Sequence, residues 1–160
     1  MKQTGFTMFE VTIVVLIVGI IGAFLIPIVA TNLTASRLST AANVLASDIE
    51  FCASECITRP STPRKIIFDT SQNRYTLQDS SGATIKHPAD GLPYVNDFST
   101  GRNARLQGVS IRQVGGGELT FDAYGRPLIT SDMSIQLQQA NSTMTVTVKK
   151  STGETLITSP

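Results

Sequence analysis

The residue with the strongest chemical implication is a carboxylate inside an apolar run. Glu10 is the single charged residue in the 25 residues from Phe6 to Ala30. A carboxylate inside a bilayer costs a few kcal/mol unless it is paired or interfacial. We therefore interpret Glu10 as a functional residue.

The other reactive side chains form no recognisable site. Cys52 and Cys56 are four residues apart, and His87 is the sole histidine, in a proline-rich stretch. A metal site would need more ligands at this spacing. No Ser-His-Asp, Cys-His or paired-carboxylate arrangement stands out. We expect no enzyme activity, metal or cofactor, and we interpret His87 as a solvated loop residue.

The segment around Glu10 does not fit an ordinary secretory signal. Residues 6–30 are long enough to span a bilayer core of about 30 Å as a helix. A secretory signal has a basic start, roughly 7–15 apolar residues and a cleavage site of small residues. Here the basic start is only Lys2, and residues 27–31 make a poor cleavage site. A plain membrane anchor stays open on these grounds.

The residues before the apolar run carry a family resemblance. Gly5-Phe6-Thr7-Met8-Phe9-Glu10, followed by an apolar helix, resembles the class III signal of type IV pilins and type II secretion pseudopilins. The resemblance implies that a prepilin peptidase cuts after Gly5 and methylates Phe6. It also implies that Glu10, the fifth mature residue, meets the N-terminal amine of a neighbouring subunit during assembly.

Three helix-weakening residues interrupt the apolar run. They are Gly19, Gly22 and Pro27. Proline inside a helix removes a hydrogen bond and bends the axis. Related pilins carry a glycine and a proline at the positions of Gly19 and Pro27, so the resemblance implies a helix bend or local melting there. A simple kinked membrane helix is compatible with the same residues.

A second, amphipathic helix half follows the apolar run. One apolar stripe recurs at steps of three and four residues, and it consists of Leu38, Ala42, Leu45, Ile49, Cys52 and Cys56. The polar residues off the stripe are expected to face solvent or neighbouring subunits: Arg37, Ser39, Asn43, Ser47, Asp48, Glu50 and Glu55. Pro60 and Pro63 stop the helix, which would extend from Phe6 to about Thr58 and measure roughly 80 Å.

The stripe suggests a structural role for the two cysteines. Free cysteine is among the most often buried residue types, and both thiols fall where small residues would pack a helix against a sheet. A bridge between Cys52 and Cys56 is geometrically possible but strained. We favour buried, unpaired thiols and keep the bridge as the alternative.

After Pro63 the pattern changes to short β runs separated by turns. We predict an antiparallel sheet domain, with turns over residues 69–73, 115–117 and 140–142, and we interpret the triple glycine as a hairpin turn. Residues 87–105 are predicted to form a long surface loop. The predicted strands are 64–68, 74–78, 83–86, 106–114, 118–122, 128–130, 134–139, 144–149 and 154–158.

Looser matches narrow the resemblance to one subgroup. Residues 42–59, 119–126 and 147–154 are similar to parts of the GspH/FimT group of minor pseudopilins. The chain departs from that group at Cys52 and Cys56, where small non-thiol residues are usual. It also lacks the late cysteine pair of many major pilins, which argues against a major pilin.

The resemblance implies a fold and a domain plan. The fold is α+β, with a long N-terminal helix on a C-terminal antiparallel sheet domain. Residues 1–5 would be a prepilin leader, 6–30 a membrane and assembly helix, 31–59 an amphipathic helix and 60–160 a periplasmic domain. The protein would then be a single-pass protein of the bacterial inner membrane.

The implied function is mechanical. The chain would be a minor pseudopilin of a type II secretion system, at or near the tip of the periplasmic pseudopilus. The expected partners are a prepilin peptidase, other major and minor pseudopilins or pilins, an inner-membrane assembly platform and the lipid bilayer. The alternative is a FimT-like minor type IV pilin that acts in pilus assembly or DNA uptake.

DNA uptake would need a basic surface for phosphate contacts. The candidate cations are Arg102, Arg105, Arg112, Lys149 and Lys150. The formal net charge of only +1 favours a solvated charged face instead. We therefore do not expect nucleic acid as a partner.

Overall fold

The computed structural model describes residues 7–159, without the side chains of residues 24–31 and of Gln113. Gly5 and Phe6, where the sequence predicts cleavage and methylation, lie outside the described residues. The chain divides into two compact units between Ala35 and Ser36. The second unit is α+β, as predicted.

One helix accounts for the N-terminal third of the chain. Helix α1 extends over Met8–Thr58, 51 residues. Its N-terminus is capped by Thr7, whose Oγ1 accepts a hydrogen bond from the backbone N–H of Glu10 at 3.2 Å. Its C-terminus falls just before Pro60, which confirms the predicted helix end.

In the described residues, eight strands follow α1 and form two separate antiparallel sheets. The first sheet has the order β3-β2-β1-β5 and the second β4-β6-β7-β8. A 3₁₀ helix, η1, lies at Gly101–Leu106, between β3 and β4. The strands are β1 Arg64–Asp69, β2 Arg74–Asp79, β3 Val95–Asp97, β4 Ser110–Val114, β5 Glu118–Thr120, β6 Met133–Gln139, β7 Ser142–Val148 and β8 Thr155–Thr158.

The core of the second unit combines α1 with both sheets. Both sheets contribute alternate residues to it, because successive side chains of a strand point to opposite faces. Ile66 and Leu77 come from the first sheet, Ile135 and Val146 from the second, and each is 0% exposed. One apolar cluster joins them to the predicted stripe of α1.

The amide of Asn73 links the two sheets. Asn73 lies in the β1–β2 turn with a positive φ of 54°. Its Nδ2 donates to Val109 O at 2.7 Å, and its Oδ1 accepts from Ile111 N at 2.7 Å. A side-chain amide therefore bonds to the outer side of β4 as a neighbouring strand would.

Several predicted strands are wrong. Residues 83–86 and 128–130 form isolated bridges or irregular backbone instead of strands. The predicted strand 106–114 begins only at Ser110, because η1 takes the chain up to Leu106. The predicted hairpin over residues 115–117 does not form a ladder either, since β4 and β5 belong to different sheets.

The predicted surface loop 87–105 is also wrong. It contains β3 and most of η1. Tyr94, Asn96, Phe98 and Asn103 are all buried, between 0% and 9% exposed. Its proline, glycine, asparagine and aspartate content indicated a loop, but its aromatic residues fill the core and its asparagines bond to each other.

Candidate functional site

The carboxylate of Glu10 is exposed in the first turn of α1. A negative charge is favourable there, because the N-terminus of a helix carries a partial positive charge. Glu10 makes no ion pair with any described residue. Thr7-x-x-Glu10 also matches a helix capping box, a signal that the sequence analysis missed.

The side chains that follow Glu10 form an exposed apolar surface. Met8 and Phe9 are 86% and 74% exposed, and the six consecutive apolar residues 13–18 are between 39% and 65% exposed. Six consecutive residues cover every side of a helix. Continuous apolar surface of this kind marks sites that contact other proteins or lipid.

The predicted bend, and most of the predicted membrane helix, lie in the first half of α1. Among the residues that the structure describes, no helical segment combines the length and the apolar character needed to cross a membrane. Gly19 and Pro27 both lie within the bounds of α1. The predicted bend at these two residues stays a prediction.

The amphipathic half of α1 buries the predicted stripe. Leu38, Ala42, Leu45, Ile49, Cys52 and Cys56 are between 0% and 2% exposed. Ala41 and Ala46 are buried beside them, at 0% and 7%. The buried face is therefore wider than the stripe, and this helix half presents small residues where the sheets approach it.

A buried carboxylate joins α1 to the first sheet. Asp48 is 8% exposed, although the sequence placed it off the apolar stripe. Its oxygens accept hydrogen bonds from the hydroxyls of Tyr75, at 2.5 Å, and Tyr94, at 2.8 Å. The amide of Asn96 also donates to it, and Asn103 Nδ2 donates to Asn96 Oδ1 at 3.2 Å. The Asp48 cluster connects α1, β2, β3 and η1.

The surroundings of Asp48 set its protonation. Burial raises the pKa of this carboxyl, and the hydrogen bonds from Tyr75 and Tyr94, the nearby His87 and the amide of Asn96 oppose that rise. Burial and the Asp48 charge raise the pKa of both tyrosines. The tyrosines therefore stay protonated and act as donors, and the cluster works as a structural anchor.

The two thiols are free and buried, as we favoured. Cys56 Sγ accepts a hydrogen bond from the backbone N–H of Arg64 at 3.0 Å. The Cys52 thiol and this N–H together lower the pKa of Cys56 to about 7, whereas donation to Cys56 and burial raise the pKa of Cys52. Cys56 is the more acidic thiol, and it fixes the start of β1 against α1. Within the described residues, no group of three or more metal-ligating side chains exists.

His87 is not the solvated residue that we expected. Its ring lies 4.4 Å from the ring of Tyr94, between centroids. Nδ1 accepts a hydrogen bond from the backbone N–H of Ala89 at 3.1 Å. The side chain is 17% exposed and therefore covers one side of the Asp48 cluster.

Comparison with solved structures decides the fold. The minor pseudopilin EpsH from the type 2 secretion system of Vibrio cholerae superposes with a TM-score of 0.56 at 13% identity, over 78% of this chain and 98% of that chain. The chain has a pilin-like fold. The N-terminal helix on antiparallel sheets that the resemblance implied is thereby confirmed.

Minor pilins match this pilin-like fold almost equally well. Two crystal forms of the type IV minor pilin FimU from Pseudomonas aeruginosa give TM-scores of 0.54 and 0.52 at 14% and 13% identity. They cover 77% and 79% of this chain and 97% and 90% of FimU. No protein-family model and no curated protein matches the sequence. The likeness does not separate a pseudopilin from a pilin.

The candidate cations for DNA binding are mostly engaged within the pilin-like domain. Arg102 binds Asp90 at 2.7 Å, and Lys149 binds Asp132 at 2.8 Å. Arg112 donates to Gln138 Oε1 at 2.6 Å and Lys150 to Thr130 O at 2.9 Å. Only Arg105, of the five, lacks a partner among the described residues. The five side chains do not form an unpaired basic surface.

Proposed function

We propose that the chain is a minor subunit of a pilus-like filament, a minor pseudopilin of a type II secretion system at or near the tip of the pseudopilus. The pilin-like fold carries the proposal. The exposed apolar surface of residues 8–21 supports it, because such a surface needs lipid before assembly and other helices afterwards. The action is mechanical, not enzymatic.

Maturation and membrane insertion belong to the same proposal. A prepilin peptidase cuts after Gly5, removes residues 1–5 and methylates Phe6. Residues 6–30 then anchor the protein in the bacterial inner membrane as a single-pass helix, with residues 60–160 on the periplasmic side. The length and composition of residues 6–30 in the sequence support this anchor.

Glu10 has an electrostatic role in the proposed assembly. Its carboxylate would be costly among packed apolar helices unless it met a cation. The N-terminal amine of a neighbouring subunit supplies that cation and sets the axial register between the two helices. A bend at Gly19 and Pro27 adjusts the packing after the subunit is extracted from the membrane by the assembly platform.

The second candidate is a minor type IV pilin in pilus assembly. The similarity to FimU favours it as much as the similarity to EpsH favours a pseudopilin. A role in DNA uptake gains less support, because four of the five candidate cations have internal partners. A salt-dependent DNA-binding assay would test that role.

An assembly experiment tests the proposal. The chain is expressed with its major subunit, filaments are isolated from both the periplasm and the cell surface, and the chain is quantified in filaments and membranes. We expect wild-type protein in both fractions and Glu10→Leu protein in membranes only. Glu10→Asp is the matched control, which should retain partial incorporation. Equal incorporation of Glu10→Leu would contradict the proposed role of the carboxylate.

The phenotype of cells without the chain separates the two candidates. Loss of protein secretion with intact pili indicates a pseudopilin. Loss of surface pili with intact secretion indicates a minor type IV pilin.

A further inference from the structure

The two sheets have four outer edges, and in the described residues three of them are bonded internally or are very short. On β5, the backbone N–H of Leu128 donates to Thr120 O at 2.8 Å. On β4, Asn73 bonds to Val109 O and Ile111 N, and the register shifts between Ile111 and Gln113. Bonds and bulges of this kind prevent another chain from adding a strand.

The edge at β3 is short and partly bonded within its own segment. β3 has only three residues, Val95–Asp97. The backbone N–H of Val95, which points away from β2, donates to Pro93 O at 2.8 Å. So short an edge offers little to another strand.

The fourth edge, β8, is open along its length. The backbone N–H of Lys149 donates to Glu154 O at 2.9 Å. This bond determines which residue pairs of the β7–β8 ladder are hydrogen-bonded and which are not. Antiparallel partners alternate between bonded and non-bonded pairs. Leu156 and Thr158 therefore bond to β7, and the backbone N–H and C=O groups of Thr155 and Ile157 point outward. Nothing in the described part of the chain bonds to these four groups.

β8 also lacks the charges, prolines and bulges that often protect an edge. Its residues, Thr-Leu-Ile-Thr, include no charge and no proline, and its pairing with β7 shows no register shift. Natural proteins normally place lysine, proline or a bulge at an exposed edge strand. A regular uncharged edge is a template for an added strand.

One carboxylate lies beside this edge. Glu50, in α1, is exposed, and its Oε1 accepts a hydrogen bond from Thr155 Oγ1 at 2.9 Å. No described residue forms an ion pair with Glu50. The negative charge of Glu50 therefore lies on the face of the sheet that α1 covers. An added strand would pass close to this charge at Thr155.

We infer that the open edge of β8 is a docking site for an extended segment of a partner protein, which adds a fifth strand to the second sheet and places a lysine or arginine beside Glu50. Backbone hydrogen bonds to Thr155 and Ile157 supply the affinity. The cation at Glu50 supplies the register. The inference does not depend on whether the filament belongs to a secretion system or a pilus.

The charge beside the edge argues for a different chain instead of a second copy. Two copies paired through β8 around a two-fold axis would carry both Glu50 side chains over the same face of the joined sheet. Like charges that approach across paired strands are unfavourable. A partner strand with a cation at this position replaces that repulsion with attraction.

Amide exchange in the full-length protein in detergent micelles tests the inference. The probe is a synthetic strand of alternating threonine and valine with one central lysine, and a glutamine version is its control. We expect the lysine peptide to slow exchange of the Thr155 and Ile157 amides by about tenfold or more. The Leu156 and Thr158 amides, already bonded to β7, should change little.

Two substitutions of Thr155 distinguish the contribution of its backbone N–H to peptide binding from that of its side chain. Thr155→Pro removes an outward N–H that the β7 ladder does not use, and should abolish protection by the peptide. Thr155→Val keeps that N–H and should retain protection. Glu50→Gln should reduce the affinity for the lysine peptide several-fold and leave the glutamine peptide unaffected. If Thr155→Pro does not fold, the inference is tested by titrating the wild-type and Glu50→Gln proteins with the lysine and glutamine peptides.

Three results would overturn the inference. The first is no protection of Thr155 and Ile157 by either peptide at millimolar concentration. The second is equal protection in a folded Thr155→Pro protein. The third is a β8 edge that becomes protected with protein concentration alone, accompanied by a dimer in sedimentation, which would mean that a second copy is the occupant.

Discussion

The two halves of α1 differ in the exposure of their apolar side chains. Val15 and Val18, in the first half, are 65% and 64% exposed, whereas Leu45 and Ile49, in the second half, are 0% exposed. The second half packs against the two sheets of the same chain. The first half presents apolar groups on every side. Periodic apolar residues bury one half of the helix inside the domain, whereas continuous apolar residues leave the other half exposed.

Polar residues differ between the halves as well. Glu10 is exposed in the first half, and Asp48 is buried in the second with donors from three side chains. A buried carboxylate must be bonded inside its own domain. Glu10 is instead free to bind a group from another molecule. The same chemical group therefore anchors the domain in one half and is proposed to guide assembly in the other.

The largest effect is expected from removing apolar volume on the buried side. Leu45→Ala should lower the free energy of unfolding by about 2–5 kcal/mol, because it leaves a cavity in the core. Val15→Ala is the matched control in the first half and should change it by less than about 0.5 kcal/mol. Urea unfolding in micelles measures both. Similar losses for both variants would contradict the division of α1 into two roles.

A smaller effect is expected where a turn touches the end of the buried half. A Cβ at Gly125, whose φ is +75°, would lie 2.8 Å from Ile57 Cδ1 and 3.2 Å from Ala53 O. Gly125→Ala should cost about 2–3 kcal/mol, the left-handed backbone plus the contact. Gly82, at φ +86° with no atom nearby, is the control. Gly82→Ala should cost only about 1–2 kcal/mol. Equal losses would mean that the turn does not pack on α1.

The Asp48 cluster gives a third test. Asp48→Asn replaces one of the two acceptor oxygens with an NH2 donor, so one tyrosine hydroxyl loses its acceptor. The change should lower the free energy of unfolding by about 1–3 kcal/mol at neutral pH. Asn43→Ala, on an exposed position of the same helix half, is the control. Near-equal losses would show that the cluster contributes no specific stability.

The same cluster has a defined pH dependence. In the folded protein the pKa of the Asp48 carboxyl lies above the unfolded value of about 3.9, so the folded state binds the proton more tightly. The contribution of Asp48 to stability is therefore greatest below the unfolded pKa, and it falls as pH rises through the folded pKa. The Asp48→Asn protein should lack this part of the profile. A wild-type contribution that increases with pH in this window would contradict the assignment.

The smallest effect concerns the thiols. Cys52→Ala removes the donor to Cys56 and should raise the pKa of Cys56. Ultraviolet thiolate absorbance across pH measures that shift, and Cys56→Ala provides the spectrum of the remaining thiol. An unchanged titration of Cys56 would mean that Cys52 does not donate to it.

Local periodicity explains what the sequence could predict. The stripe from Leu38 to Cys56 follows a 3.6-residue period, and prolines mark its end, so α1 was predictable from neighbouring residues alone. The β1–β2 and β6–β7 hairpins were predictable for the same reason. Each depends on residues that are close in the chain.

Long-range contacts explain what it could not predict. The sequence predicts Asp48 to be a surface residue, because its hydrogen-bond donors are distant in the chain. Tyr75, Tyr94 and Asn96 lie 27, 46 and 48 residues further along the sequence. The division into two sheets is equally non-local. The triple glycine at 115–117 indicates a hairpin, but β5 pairs with β1 instead of β4. Glu10 is a different case, because its proposed role depends on a second subunit.

The mature N-terminus tests the central claim most directly. The full chain is co-expressed with a prepilin peptidase, and its N-terminal peptide is read by mass spectrometry beside a Gly5→Ala control. The account predicts loss of residues 1–5 and a methylated Phe6, both abolished in the control. An intact N-terminus, or a cut beyond Ala30, would contradict it, because α1 would then begin as a plain anchor or a secretory signal.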